Sequence, residues 1–208
     1  MKYQLVIFDF DGTLADSFPW FMEVFDQISD RFRFRKMARV ELEALRSCGP
    51  SEILRRLGIR AWKMPFIASH MRSLMARDID RITLFRGVDD TLRQLAEQGT
   101  AIAVVSSNSQ ENVRRILGPD NAALVRYYEC GAALLGKQSK FRRVLARAGV
   151  PRQAAFSIGD EVRDLEAARR VGIAFGAVSW GYSDVASLRE RAPAEVFETF
   201  EDLAQKVA

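Results

Sequence analysis

The chain has 208 residues, a formal net charge of +4 and 48% hydrophobic residues. This length suits one domain, or one domain with a modest insertion, and the composition excludes disordered and collagen-like chains. Two cysteines, Cys48 and Cys130, are too few for a disulfide framework, and no apolar run approaches the roughly 20 residues that cross a bilayer. We therefore predict a cytoplasmic protein with no membrane span.

Short apolar runs alternate with segments of helical spacing along most of the chain. The first run, Leu5–Phe8, leads into Asp9-Phe10-Asp11-Gly12-Thr13, and later runs cover residues 101–105, 154–158 and 173–178. Strands that alternate with helices predict an α/β fold with a doubly wound, Rossmann-like parallel sheet. Ligands of such sheets bind outside the carboxyl ends of the strands, so we expect the functional site there.

Residues 16–85 interrupt this alternation. Phe18, Phe21, Phe25 and Ile28 follow one another at helical spacing, and no convincing strand run follows before the chain returns to the alternating pattern near Gly87. We therefore predict a small all-helical domain of residues 16–85, inserted into an α/β core of residues 1–15 and 86–208.

Acidic side chains follow two of the predicted strands. Asp9 and Asp11 end the first, and Asp160 and Asp164 follow the run 154–158 at a spacing that predicts one face of a helical first turn. Carboxylates without histidine or thiolate partners select Mg2+ over zinc or copper, and the lone His70 lies in the insertion. The sequence therefore predicts a Mg2+ site.

A third polar group, Ser106-Ser107-Asn108, follows the run 101–105. We expect Ser107 and Asn108 to open a helix, and the exposed backbone N–H groups at a helix start favour an anion. Plain capping of the helix by the same side chains is a compatible alternative.

In order and spacing, these three motifs resemble those of the haloacid dehalogenase superfamily, specifically its small phosphatases with a helical cap, akin to phosphoglycolate phosphatases. The resemblance spans nearly the whole chain, and Trp180-Gly181-Tyr182 resembles the segment after the last core strand of those relatives. It implies a Mg2+-dependent phosphatase that hydrolyses a small phosphorylated metabolite, with phosphoglycolate the first expected substrate, through an aspartyl-phosphate intermediate.

The resemblance also implies roles for individual residues. Asp9 would be the nucleophile and a metal ligand. Asp11 would be the general acid and base, and a metal ligand through its backbone carbonyl. Asp160 would bind the metal directly. The expected phosphate-binding residues are Thr13, Ser106, Ser107 and Asn108.

The family places a fixed lysine beside these carboxylates, and two candidates exist. Lys137 follows Gly136, whereas Lys140 lies three residues further on, where a solvated helix position is the alternative reading. We expect Lys137 to be the active-site lysine, with Asp164 holding it or a metal-bound water.

The insertion would act as the cap that recognises the rest of the substrate. Trp20, Arg46 and Ser51 are its candidate substrate contacts, the last two because residues 46–51 resemble a cap loop that reaches the active site. An ordinary turn between helices, with Ser51 as a helix N-cap, is the alternative for that segment.

Two other functions compete with the phosphatase. A sugar phosphomutase would use the same nucleophilic Asp9 but return the phosphoryl group to its substrate. A basic module could bind nucleic acid through residues 31–36, where arginines alternate with Phe32 and Phe34. Carboxylates at strand ends suit a polyanion poorly, so we expect no nucleic-acid partner.

Overall fold

A computed structural model describes residues 2–48, 50–132 and 136–207. Its strands are β1 (Leu5–Phe8), β2 (Ala15–Asp16), β3 (Thr83–Leu84), β4 (Ala101–Val105), β5 (Val125–Glu129), β6 (Ala155–Gly159), β7 (Ala174–Val178) and β8 (Glu195–Phe197). Its α-helices are α1 (Phe18–Phe32), α2 (Arg39–Ala44), α3 (Pro50–Leu57), α4 (Met64–Arg77), α5 (Val88–Glu97), α6 (Gln110–Leu124), α7 (Lys137–Ala148), α8 (Val162–Val171), α9 (Val185–Arg189) and α10 (Phe200–Val207).

Six parallel strands form the main sheet in the order β5-β4-β1-β6-β7-β8. Strand β1 is continuously apolar because both faces of the sheet are covered. Val6 and Phe8 belong to one buried cluster, whereas Leu5 and Ile7 belong to another. Each face therefore has its own hydrophobic core, and the predicted doubly wound α/β fold is confirmed.

The edge strands of the sheet were not predicted. Strand β5 carries Arg126 and Glu129, and β8 has only three residues, so neither shows the apolar run of a central strand. Phe197 ends β8, and α10 begins three residues later at Phe200. Edge strands have one unpaired side and tolerate polar residues, which explains why neither strand was recognised.

Helices α1 to α4 lie between β2 and β3, which pair antiparallel with Asp16 opposite Thr83. This two-stranded ribbon is an unpredicted strand element at the two ends of the inserted helical region. The inserted helices share a small apolar cluster that includes Phe25, Leu42 and Leu57. The helical region therefore has packing of its own.

The basic segment at residues 31–36 is part of this packing. Phe32 and Phe34 pack against the hydrophobic clusters, while Arg35 pairs with Glu41 and Lys36 with Asp30.

Across the ranges that the structure describes, no helix is long and apolar enough for a bilayer crossing.

Candidate active site

Three strand ends bring the polar motifs to one edge of the sheet. Asp9 follows β1, Ser106 follows β4 and Asp160 follows β6. Because β1 lies between β4 and β6, the carboxyl ends of these strands are neighbours. Sheet register therefore gathers residues that are up to 151 positions apart in the sequence.

Asp9, Asp160 and Asp164 form a buried cluster in which one carboxylate oxygen from each lies within 4.8 Å of the others. Helix α8 has Glu161 as its N-cap and begins at Val162. Asp160 therefore lies before the helix, and the prediction that Asp160 and Asp164 share its first turn was wrong for Asp160. Their carboxylates meet because the chain turns between β6 and α8.

Asp160 is held from two sides. Thr13 Oγ1 donates to Asp160 Oδ1 at 2.9 Å, and the backbone N–H of Tyr182 donates to Asp160 Oδ2 at 2.7 Å. A Cβ atom at Gly12 or Gly181 would collide with the Asp160 side chain, and Gly12 also has a φ of +77°. Both glycines are therefore required for the close approach of their loops to this carboxylate.

Lys137 bridges two members of the cluster. Its Nζ lies 2.9 Å from Asp9 Oδ1 and 2.7 Å from Asp164 Oδ1. Lys140 is buried instead of solvated, which corrects the alternative reading, and its ammonium donates to the backbone carbonyls of Ser106 and Gly131. The structure thus places Lys137 at the carboxylates and Lys140 under the loop that follows β4.

The carboxylates differ in their proton affinity. Burial, followed by the charges of Glu161 and Asp9, raises the pKa of Asp160 well above its ordinary value. Burial raises the pKa of Asp164 to about 7, although Lys137 opposes this shift. Burial acts the same way on Asp9, but Lys137 and then Arg163 outweigh it and lower its pKa.

This donor set fits a hard divalent cation. Among the described residues, Lys137 forms ion pairs with Asp9 and Asp164 but not with Asp160, so one ammonium faces a cluster of three carboxylates. In addition, Asp164 Oδ2 is buried without a hydrogen-bond partner among the described residues. Clustered carboxylate oxygens of this kind suit Mg2+.

Asp11 stands apart from the cluster and faces a cavity of about 290 Å³. Ser17 Oγ donates to Asp11 Oδ1 at 2.9 Å, and Asn108 Nδ2 donates to Oδ2 at 3.3 Å. Burial, and then the charge of Asp9, raises the pKa of Asp11 to about 6, although both hydrogen bonds oppose the shift. Asp11 is therefore oriented by neutral donors and not by a lysine.

The loop after β4 lies beside a second cavity of about 290 Å³, which Ser106 and Ser107 line together with Asp9 and Lys137. Helix α6 begins at Gln110 with Ser109 as its N-cap, so the expectation that Ser107 and Asn108 open the helix was wrong. The Asn108 N–H donates to Ser106 Oγ at 3.0 Å, and this bond shapes the loop. The Thr13 hydroxyl is fully buried on Asp160, where it orders the acidic loop.

The three expected contacts in the insertion have different environments. Trp20 lines the Asp11 cavity but is 3% exposed, and its indole N–H donates to Asp78. Arg46 donates to the backbone carbonyls of Gly181 and Tyr182, at 2.7 and 2.9 Å.

Ser51 lies exposed inside α3, which begins at Pro50, so the N-cap reading was wrong. It is not among the residues lining the cavities at Asp9 and Asp11. Gly49 of the same segment lies outside the described residues.

Two residues at the site were missed as functional candidates. Arg163 lines both the Asp9 cavity and the Asp11 cavity, and its position inside the motif 159–164 was the available signal. The Tyr182 hydroxyl forms a hydrogen bond with Ser17, the residue that donates to Asp11. Sequence reasoning treated Tyr182 only as a marker of related chains.

Comparisons with known proteins agree with this arrangement. The family model of haloacid dehalogenase-like hydrolases matches residues 6–178. A phosphoglycolate phosphatase of Synechococcus elongatus is 33% identical over 205 residues, covering 98% of this chain and 97% of that protein. Phosphoglycolate phosphatase 1 of Pseudomonas aeruginosa is 26% identical over 214 residues, covering 96% of this chain and 78% of that protein.

Among solved structures, a haloacid dehalogenase-like hydrolase of Streptococcus pneumoniae has a similar fold, with a TM-score of 0.82 at 18% identity. The match covers 100% of this chain and 99% of that chain. Together, the family match, the similar chains and the buried carboxylates at the strand ends show that this chain belongs to the haloacid dehalogenase-like hydrolases.

Proposed function

We propose that the chain is a Mg2+-dependent phosphatase that hydrolyses a small phosphorylated metabolite, with phosphoglycolate the first expected substrate. One observation carries the proposal: the buried carboxylates of Asp9, Asp160 and Asp164 meet at the strand ends, and Lys137 contacts two of them. The similarity to a phosphoglycolate phosphatase over nearly the full length supports the choice of substrate.

In the first step, a carboxylate oxygen of Asp9 attacks phosphorus in line with the ester oxygen. The P–O ester bond breaks as the aspartyl-phosphate forms, and Asp11 gives its proton to the departing alkoxide. Lys137 holds Asp9 in place through the 2.9 Å contact. Ser106 and Ser107, which line the cavity at Asp9, bind the phosphoryl oxygens.

In the second step, Asp11 takes a proton from water, and the water oxygen attacks phosphorus. The bond between phosphorus and Asp9 breaks, which releases inorganic phosphate and restores the nucleophile. Ser17 and Asn108 hold the Asp11 carboxylate through both steps, because each donates to a different oxygen of it.

Asp9, Asp160 and the backbone carbonyl of Asp11 would hold Mg2+, and Asp164 would hold Lys137. The ion, when bound, neutralises charge on the carboxylates and on the phosphoryl group. We assign residues 16–85 as a cap over an α/β core of residues 1–15 and 86–208. Such a cap excludes water and recognises the leaving group.

The test is phosphate release by the purified protein. The substrates are phosphoglycolate, sugar phosphates, nucleoside monophosphates and an aryl phosphate, each with Mg2+ or with EDTA. We expect Mg2+-dependent turnover, greatest for phosphoglycolate, and loss of that turnover in Asp9→Asn. The matched control is Asp26→Asn, which changes an exposed aspartate on α1.

Retained activity in Asp9→Asn would refute the nucleophile. Isomerised sugar phosphate with little free phosphate would point to the phosphomutase.

A further inference from the structure

The lining of the cavity at Asp11 combines apolar side chains with two arginines from different helices. Its apolar lining includes Trp20, Ile67, Met71 and Met75. Arg72 belongs to α4 in the insertion, whereas Arg163 belongs to α8 in the core. A cavity that only packed hydrophobic groups would not need two guanidinium groups.

Most N–H donors of the Arg163 guanidinium have no hydrogen-bond partner among the described residues. Among the described residues its one hydrogen bond runs from Nη2 to Glu161 Oε1 at 2.7 Å, and its side chain remains 49% exposed. A guanidinium has five N–H donors. Because Arg163 also lines the cavity at Asp9, it stands at the junction between the nucleophile and the Asp11 cavity.

The Arg72 guanidinium also forms few hydrogen bonds. Within the described ranges it donates from Nη1 to the Ser107 carbonyl, over a distance of 3.5 Å. Arg46 differs, because its guanidinium donates to two backbone carbonyls at 2.9 Å or less. The two arginines that line the Asp11 cavity therefore have more donors available for a new anion than Arg46 has.

The direction of the leaving group connects this cavity to the substrate. Under the proposed function, Asp11 protonates the ester oxygen, so the carbon next to that oxygen lies in the Asp11 cavity. A carboxylate on that carbon would meet Arg163 and Arg72. An unpaired carboxylate against the apolar wall would be strongly disfavoured, whereas a guanidinium matches it with charge-assisted, paired hydrogen bonds.

We infer that Arg163, assisted by Arg72, binds a carboxylate on the substrate carbon next to the phosphoester oxygen. These residues thereby select carboxylate-bearing phosphomonoesters over neutral ones. The inference rests on the proposed function, since it uses the position of the leaving oxygen beside Asp11. It assigns the substrate specificity to Arg163 of the core and Arg72 of the insertion.

The test compares phosphoglycolate with ethyl phosphate, in which a methyl group replaces the carboxylate. We expect Arg163→Gln to lower the ratio of the two kcat/KM values by about 10- to 100-fold, mainly through the KM for phosphoglycolate. Arg72→Gln should lower the ratio less. Arg93→Gln, an exposed arginine on α5 paired with Asp90, should leave it unchanged.

Thermal unfolding serves as the folding control for each variant. Arg163→Lys keeps the charge but not the paired geometry, and we expect it to restore part of the ratio. Equal loss on both substrates in Arg163→Gln, or a wild-type protein that does not prefer the carboxylate, would overturn the inference and leave the phosphatase proposal intact. Failure of the wild-type protein to hydrolyse either compound would overturn the proposed function itself.

Discussion

The catalytic edge of the sheet and the inserted helices position their side chains in different ways. At the sheet edge, Asp9 and Asp160 are placed by strand register, with β1 paired to β4 and β6 along its whole length. In the insertion, Arg46 lies in a short 3-10 helix, and its guanidinium donates to two carbonyls of the core, beside one backbone hydrogen bond from the Asp184 N–H to the Arg46 carbonyl. Asp9 and Asp160 are thus fixed by backbone pairing, whereas much of the contact between Arg46 and the core comes from a side chain that a single substitution can remove.

Asp11→Asn should have the largest effect among the variants that probe this contrast. The amide keeps the size of the side chain and can still accept from Ser17, but it cannot exchange a proton with the leaving group or water. We expect kcat for phosphate release to fall by about 10²- to 10⁴-fold. Thermal unfolding should change little, and a kcat within about threefold of wild type would contradict the acid–base role.

Lys140→Met tests how much the buried ammonium under the loop after β4 stabilises the fold. It removes the donor to the carbonyls of Ser106 and Gly131, and both acceptors lose their bond to a buried ammonium. We expect the free energy of unfolding to fall by about 2 to 4 kcal/mol in a denaturant titration. Lys36→Met, in an exposed ion pair with Asp30, is the control, and equal losses in the two variants would refute the structural role of Lys140.

Arg46→Met tests the contact between the insertion and the core. It removes two hydrogen bonds to residues 181 and 182 and the guanidinium that lies over the Phe18 ring. We expect a local opening free energy lower by about 1 to 3 kcal/mol, seen as faster amide hydrogen exchange in α2 and α3. Arg39→Met, exposed on α2, is the control. Unchanged exchange would show that other contacts hold the insertion.

The smallest expected effect is the contribution of His70, in α4, to the pH dependence of stability. Burial, followed by the charges of Arg31 and Arg77, lowers its pKa in the folded chain, and the rings of His70 and Phe32 pack edge to face. The unfolded chain therefore binds more protons as pH falls below about 6.5, so stability declines with falling pH in that window.

His70→Gln should lack this contribution. Its melting temperature should fall less between pH 7.5 and 5.5 than that of the wild type, by no more than about 2 to 4 °C. Identical pH profiles for the two proteins would refute the shift.

The central strands and the acidic motifs could be predicted from the sequence because each has a strong local signal. A buried parallel strand is apolar throughout, and the residue that follows it is polar, as at β1 and Asp9. Lys137 was placed beside the carboxylates only through a resemblance, since nothing local distinguishes it from Lys140 on the same helix. The structure separates the two lysines by their contacts, with Asp9 and with the Ser106 carbonyl respectively.

The edge strands and the ribbon of β2 and β3 could not be predicted as well, for a physical reason. Strand β8 and the ribbon of β2 and β3 are too short for periodicity to appear. Only its position inside the motif 159–164 marks Arg163 in the sequence, because its place between two cavities depends on where α8 directs it. Such roles arise from tertiary packing and not from the local order of residues.

The pairing of Asp16 with Thr83 in β2 and β3 means that the chain leaves the core and returns to it at a single place. In engineering terms, these two strands mark where the inserted helices could be exchanged, provided that a replacement also covers the part of the main core on which α1 and α4 pack. A tight hairpin turn could join the two strands directly, and another set of helices could be grafted between them without altering the register of the central sheet. One catalytic edge can thereby be combined with many recognition elements.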